Sequence, residues 1–435
     1  MTKSILIKKY NGAGELTVSV PGSKSITNRA LLLAALASGR CLLKGVLFSD
    51  DTRAMMDCLV ALGFTLEADE GAAELTLVGG GGQIPRKQAH INVQSAGTAA
   101  RFLTAFLAFG GGDYTICASE QMKRRPMAPL ISILRSLGAQ IECLEAEGHL
   151  PLRITNGALS FSEPPLVTVD TGLSSQFASA LLLVGAMCRP GLKIRLCGAR
   201  AQGAYIGISL KMMADFGIRH EQAGNDYLVS FTDSCGVSEY HIEPDISSAC
   251  YFYAMAPLLG IDVCVRGVHA DMVQGDLAFL DLLEQMGAGR EETTEGIRML
   301  GRGMDGYPGL DVDMRGFSDQ TMTLAVLAAF ARTETRIRGI GHIRHQESDR
   351  MAAICTELGR IGATCDIIGD GEGLSIEPLH GGMGDVQVEI ETYDDHRMAM
   401  AFSLVGLKTG NISIKNPACC AKTFANFFKV IEGLT

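Results

Sequence analysis

The chain repeats itself. Six times a small-residue or Ser/Thr/Asp turn leads into an apolar helical stretch, at Pro21–Gly39, Ser95–Gly110, Leu173–Met187, Asp245–Gly260, Phe317–Ala331 and Tyr393–Gly410. The spacing is roughly 70 to 80 residues, too long for a solenoid repeat and right for a duplicated subdomain. A second helical stretch with a glycine stop interleaves with the first, at Asp51–Gly63, Pro126–Gly138, Tyr205–Gly217, Asp276–Gly287, Asp349–Gly362 and Thr423–Gly433. Most of these precede two short runs of period-two alternation joined by a Gly/Asp/Glu turn. Examples are TLEADEGAAELTLV from Thr65, QIECLEAEGHLPLRIT from Gln140 and ATCDIIGDGEGLSIEP from Ala363, all of which read as hairpins. The pattern predicts six α/β units in two groups of three. A length of 435 residues, long for one core, agrees with two domains. The break is expected near Tyr240–Asp245, with the N-terminal strand returning to the second group. This gives one domain of residues 1–22 plus 244–435 and another of residues 23–243.

The first helix shows why the repeat matters for function. Pro21-Gly22 makes a tight turn, Ser23, Ser25 or Thr27 caps the helix start, and Gly39 closes the apolar stretch. Lys24 and Arg29 sit where the helix dipole is already positive, which is unfavourable unless an anion joins them. Taken alone, the stretch reads as a solvated basic turn before a core helix, and it lacks P-loop spacing. If the equivalent helices run parallel, however, their starts gather on one face of each domain. Two such faces opposed across a cleft would form an anion-attracting site.

Other helix starts add to this set. The second copy has Ser95, Gly97, Thr98 and Arg101, followed by Lys123, Arg124 and Arg125 before a proline-started helix. The third has Ser174, Ser175 and Gln176. The fifth has Asp319, followed by Arg344, Glu347, Asp349 and Arg350, and the sixth has Asp394, Asp395, His396 and Arg397, with Lys422 later. Together these fixed cations and few carboxylates suit a substrate bearing phosphate and carboxylate groups. Glu347, Asp319 or Lys24, set among charges, are candidates to move a proton. A duplicated scaffold that merely binds anions is the alternative from another class. The net charge of −10 argues against nucleic acid or an anionic membrane surface as the partner. Thirteen cysteines without CxxC pairs suggest reduced, mostly buried thiols, and the N-terminal residues show no apolar signal core; a cytoplasmic protein is expected.

The segments PGSKSITNRALLLAALA, AGTAAR, SSQF, ESDR, DDHRMAMAFSL and AKTF together resemble the 5-enolpyruvylshikimate-3-phosphate synthase (3-phosphoshikimate 1-carboxyvinyltransferase) family over nearly the whole chain. The resemblance implies a two-domain inside-out α/β barrel of six βαβαββ-type units, three per domain, that ligands close like a clamp. It also implies the shikimate-pathway reaction of aromatic amino-acid biosynthesis. The enolpyruvyl group of phosphoenolpyruvate passes to the 5-hydroxyl of shikimate 3-phosphate, phosphate leaves, and neither metal nor cofactor is needed. Catalytic roles fall on Lys24, Asp319 and Glu347. Phosphoenolpyruvate contacts match Lys24, Gly97, Thr98, Arg125, Gln176, Arg350, His396, Arg397 and Lys422. Acceptor contacts match Lys24, Ser25, Arg29, Ser174, Ser175, Gln176, Gln202, Tyr205, Asp319, His342 and Gln346. The implied partners are the two small-molecule substrates, and a monomer is expected.

Three acceptor positions depart from the family pattern. Gln202 stands where the family has Ser, Gln346 where it has Lys, and His342 where it has Asn. Replacing Lys by Gln removes a full charge from a phosphate site, and a protonated His342 would restore part of it. A paralogue acting on a different hydroxyl acceptor is therefore the second reading. The UDP-N-acetylglucosamine enolpyruvyl transferases carry a reactive Cys in the loop before the position of Arg125; here Glu120 stands there, and Cys117, several residues early, reads as a buried strand thiol.

Overall fold

The computed structural model describes residues 4–156, 159–198, 201, 203–381, 383 and 386–435. The first five units have the order strand, helix, strand, helix, hairpin, and the sixth has strand, helix, strand, helix among the described residues. In the second copy these are Gln88–Asn92, Gly97–Gly110, Gly112–Cys117, Ala128–Ser136 and the hairpin Ile141–Cys143 with Leu152–Asn156. The first strand pairs parallel with the second, and the hairpin completes the sheet antiparallel. The same four-strand order recurs in five sheets. The sixth sheet has three strands among the described residues.

The leading strands explain the discontinuous domain. Glu15–Val18 precedes the first helix in sequence, yet it pairs parallel with Asp262–Val265, the second strand of the fourth unit. Glu239–His241, which precedes the fourth unit, pairs instead with the strand Ser38–Lys44 of the first. Ser4–Ile7 closes the last sheet by pairing antiparallel with Ile412–Lys415. The chain thus passes twice between two compact units, residues 1–21 with 243–435 and residues 22–242. At the first passage Gly22 lies so close to the carbonyl oxygen of Gly45 that no Cβ would fit.

Each unit is built around the first-set helices. All residues of Gly97–Gly110 and of Thr321–Ala329 are buried, and the helices carry apolar side chains on every side. The strands alternate instead, as in Leu166–Asp170, where Val167 and Val169 are buried and Leu166, Thr168 and Asp170 exposed. Helices therefore form the interior and sheets the cover. No described helix is long and apolar enough to cross a membrane.

Three local expectations are corrected. The first helix runs Lys24–Leu36 and ends before Gly39, which belongs to the following strand. Ser23 occupies the N-cap without a side-chain cap bond, and Thr27 Oγ1 instead accepts from the Leu47 amide at 3.2 Å. Cys117 is exposed at a strand end. Tyr114 and Ile116 take the inward positions of that strand, so the period of two turns Cys117 outward.

Candidate active site

In the unit 22–242, four helix starts converge. Lys24 opens its helix and places Nζ 3.3 Å from Asp51 Oδ2, both side chains largely buried. Asp51 is the second residue of the helix Asp50–Ala61, capped by Ser49. Arg29, on the next turn after half-buried Ser25, is 2% exposed. Its guanidinium donates to the Ser25 carbonyl (3.0 Å), Ser209 Oγ (2.8 Å), Ser179 Oγ (3.0 Å) and the Tyr205 carbonyl (3.1 Å). It also lies over the rings of Phe102 and Tyr205, 5.3 and 5.9 Å from their centroids. All these partners are neutral, and desolvation lowers the Arg29 pKa to about 10.

Gly97 and Thr98 open the helix Gly97–Gly110, whose N-cap, Ala96, offers no side-chain acceptor. Thr98 Oγ1 accepts from Gln176 Nε2 at 3.3 Å, joining this start to that of Ser175–Val184. Ser174 caps the latter by accepting from the Gln176 amide at 3.2 Å, and Ser175 is buried beside it. The Gln176 side-chain oxygen is buried without a hydrogen-bond partner. Arg125 projects over Gly97, and a Cβ there would also meet Arg101 Nη1 at 2.8 Å. Arg101 donates to the Gly97 carbonyl at 3.1 Å and the Pro126 carbonyl at 3.1 Å. Desolvation, and then the neighbouring Arg125 cation, push its pKa well down. Lys123 turns outward to Glu145 and Glu120, and Arg124 is exposed, so those two basic residues are surface features. Gln202 lies outside the described residues.

The unit 1–21 with 243–435 holds a different cluster. Arg350 opens its helix and is 2% exposed. It donates to Asp395 at 2.8 and 3.3 Å, to Asp319 at 3.2 Å, to Glu347 at 3.4 Å and to the side-chain oxygen of Gln346. Burial opposes its charge, but Asp395, Glu347 and Asp319 more than offset this and raise its pKa. Asp319 bridges onward to Arg397 Nη2 at 2.8 Å. Glu347 lies 2.9 Å from His396 Nδ1 and 3.3 Å from Lys422 Nζ. Asp395 caps the helix His396–Thr409 through the Arg397 amide (3.0 Å). Burial raises its pKa, but the charge of Arg350 first among several effects leaves it lowered. His342 Nε2 sits 2.8 Å from Ser318 Oγ, while His345 is exposed.

Residue types at helix starts pointed to most of these positions, but not to all. Asp51 was missed because it lies at the start of the following helix and meets Lys24 only in the fold. Ser179 and Ser209, the hydroxyl partners of Arg29, carry no sequence signal. A metal is poorly matched here. The donor atoms of Glu347, Asp395 and His396 lie within 4.8 Å of one another, but Arg350 and Lys422 already face the two carboxylates and would repel a cation.

Six repeated α/β units, five of whose sheets share one four-strand order, and cations at several helix starts define an enolpyruvyl transferase-like fold. The enolpyruvyl transferase NikO from Streptomyces tendae superposes with a TM-score of 0.73 over 99% of this chain and 96% of that one, at 17% identity, a likeness of fold alone. The EPSP synthase (3-phosphoshikimate 1-carboxyvinyltransferase) family model matches residues 11–431. The chain belongs to that family. It is 38% identical over 427 residues to the 3-phosphoshikimate 1-carboxyvinyltransferase of Nostoc punctiforme, covering 98% of this chain and 97% of that one. It is 40% identical over 426 residues to that of Erwinia tasmaniensis, covering 96% of each. The EPSP synthase of Acinetobacter baumannii superposes with a TM-score of 0.80 at 25% identity, over 99% of this chain and 97% of that one. Neither the non-catalytic scaffold nor the paralogue is favoured by these relatives.

Proposed function

We propose the following division of labour for the family reaction in this chain. The protein transfers the enolpyruvyl group of phosphoenolpyruvate to the 5-hydroxyl of shikimate 3-phosphate and releases phosphate. In the unit 22–242, Lys24, Gly97, Thr98, Arg125 and Gln176 contact phosphoenolpyruvate. Lys24, Ser25, Arg29, Ser174, Ser175, Gln176, Gln202 and Tyr205 contact the acceptor. In the other unit, Arg350, His396, Arg397 and Lys422 stabilise charge on phosphoenolpyruvate and on the leaving phosphate. Asp319 takes the acceptor hydroxyl proton, with His342 and Gln346 beside the acceptor.

Glu347 manages the proton delivered to the enol carbon and then withdrawn during elimination. The observation that carries this role is its position: one carboxylate facing His396 Nδ1 at 2.9 Å, Lys422 Nζ at 3.3 Å and Arg350 Nη2 at 3.4 Å. A proton donor and acceptor so placed is oriented before substrate arrives. The protein works on these two small molecules as a cytoplasmic monomer, without a nucleic-acid or membrane partner, in keeping with its net charge of −10.

The test is turnover with shikimate 3-phosphate across pH, alongside Gln346→Lys. Robust activity of the native sequence is expected. No activity at any pH, with a gain on introducing lysine, would overturn the assignment of this acceptor in favour of a different hydroxyl compound.

A further inference from the structure

Outside the charged clusters, two thiols stand together. Cys355 lies on the helix Arg350–Arg360, and Cys365 on the strand Thr364–Ile368, which follows that helix and forms the edge of its four-stranded sheet. Their sulfurs are 2.8 Å apart, closer than thiols in ordinary contact and short of the ~2.05 Å of a disulfide. Both residues are half-buried, so a small oxidant can reach them. The helix carries Arg350 at its start, yet neither cysteine touches the charged cluster in the role given above.

We propose that Cys355 and Cys365 are a reversible disulfide site that braces this helix against the sheet edge. The two thiols share a hydrogen, and that bond, ahead of the opposing effect of burial, lowers the Cys355 pKa; the same bond, with burial, raises that of Cys365. Cys355 is assigned as the attacking thiolate, an order that the Cys365→Ser variant below tests. It displaces one thiolate from a low-molecular-weight disulfide of the glutathione type and becomes a mixed disulfide. Cys365, giving up its proton, then attacks the Cys355 sulfur and expels the second thiolate. Two protein thiols are oxidised, one small disulfide is reduced to two thiols, and the protons pass to the leaving thiolates. The loop so closed contains few residues. The brace acts on the stability of the helix and not on substrate contacts.

The experiment uses the full chain treated with glutathione disulfide, quenched with iodoacetamide and examined by intact mass and peptide mapping. The expected result is loss of the mass of two hydrogens, a Cys355–Cys365 cross-linked peptide, recovery on adding dithiothreitol, and a higher Tm in the oxidised form. Cys365→Ser should instead retain glutathione on Cys355 and gain no Tm. Free, alkylated Cys355 and Cys365 after treatment would overturn the proposal. So would oxidation confined to the consecutive pair Cys419 and Cys420, or an equal Tm gain in Cys365→Ser. A cross-linked wild type whose Cys365→Ser variant carries no glutathione would overturn Cys355 as the attacking thiol.

Discussion

The two charged clusters solve opposite problems with the same materials. In the unit 22–242, Arg29 is buried among hydroxyls and carbonyls, Arg101 rests on carbonyls, and of these two and Lys24 only Lys24 has a carboxylate among the described residues, Asp51. In the other unit, Arg350 and Arg397 with Lys422 and His396 face Asp319, Glu347 and Asp395, oxygen by oxygen. The first arrangement leaves positive charge uncompensated by acids, and the helix starts at Lys24 and Gly97 lack side-chain caps. Such a surface is completed by an anion. The second is already neutralised and fixed in direction, as suits groups that must hand over protons without reorganising. The two clusters thus differ in whether acids balance their cations.

The sharpest way to break this comparison is to remove one charged group from each, Lys24 being the candidate of the unit 22–242 for proton transfer as well as for binding. Glu347→Ala and Lys24→Met should each lower turnover by about 10²–10⁴-fold, the usual contribution of a proton-transfer group. Each removal also leaves buried partners unpaired, Arg350, His396 and Lys422 in one case and Asp51 in the other, so turnover is compared in variants that urea unfolding shows to be folded. Near-normal turnover in a stably folded variant would remove that residue from the mechanism.

The charge balance itself predicts unequal stability costs. Arg350→Met strands Asp395, Glu347 and Asp319 without their shared cation, and breaking a buried pair typically costs about 3–5 kcal/mol. Arg29→Met leaves only neutral hydroxyls and carbonyls unpaired, at about 1–3 kcal/mol. Urea unfolding of both variants measures the difference. Equal losses would mean that the clusters are not organised differently.

Asp276, within reach of the charge of Asp319, is buried with its carboxylate accepting from Ser247 Oγ and from Gln320 Nε2 at 3.3 Å. Burial, and then the charge of Asp319, raise its pKa to about 6, while Arg397 and the Ser247 bond pull the other way. Because the folded value is raised, its contribution is fully present below the unfolded pKa of about 3.9 and is lost as pH rises through about 6. Asp276→Asn should therefore be less destabilising at pH 7 than at pH 4.5, by at most a few kcal/mol. A pH-independent difference in unfolding free energy would show that Asp276 does not titrate in this window.

The repeat, the helix starts and the cations were legible in the sequence because all three are local. Glycine stops, turn residues and a charge at the first helical turn lie within a few positions of one another. What escaped depended on distance along the chain. Arg29 meets Ser179 and Ser209, 150 and 180 residues away, and no spacing rule links them. Gln346 was legible as a lost positive charge, but not as an amide oxygen turned onto Arg350, where a lysine would face a guanidinium. The strand exchange was read for the N-terminus, whereas the reciprocal pairing of Glu239–His241 with Ser38–Lys44 is set by which sheet edge is vacant. Cys117 failed for a different reason, a parity error of one residue in a strand.

The smallest effect expected concerns Gly97, and it separates a cation that must shift from one that is locked. A Cβ at this position would press on the Arg125 guanidinium and lie 2.8 Å from Arg101 Nη1. Arg125 is held by few partners, and its Nε is buried without a hydrogen bond, so Arg125 is the group that gives way. Overpacking of this kind costs about 1–3 kcal/mol, and about 1.4 kcal/mol is a tenfold change in binding. Gly97→Ala should therefore raise KM for phosphoenolpyruvate about tenfold or somewhat more. Helix stability should hold or improve, because alanine is the better helix former by about 1 kcal/mol. KM for shikimate 3-phosphate should move less, since Arg29 and Ser25 lie on another helix. Steady-state kinetics with each substrate varied in turn, together with Tm, decides the matter. An unchanged KM for phosphoenolpyruvate would mean that Arg125 does not bind it, and an equal rise for both substrates would mean that the methyl group disturbs the helix start as a whole.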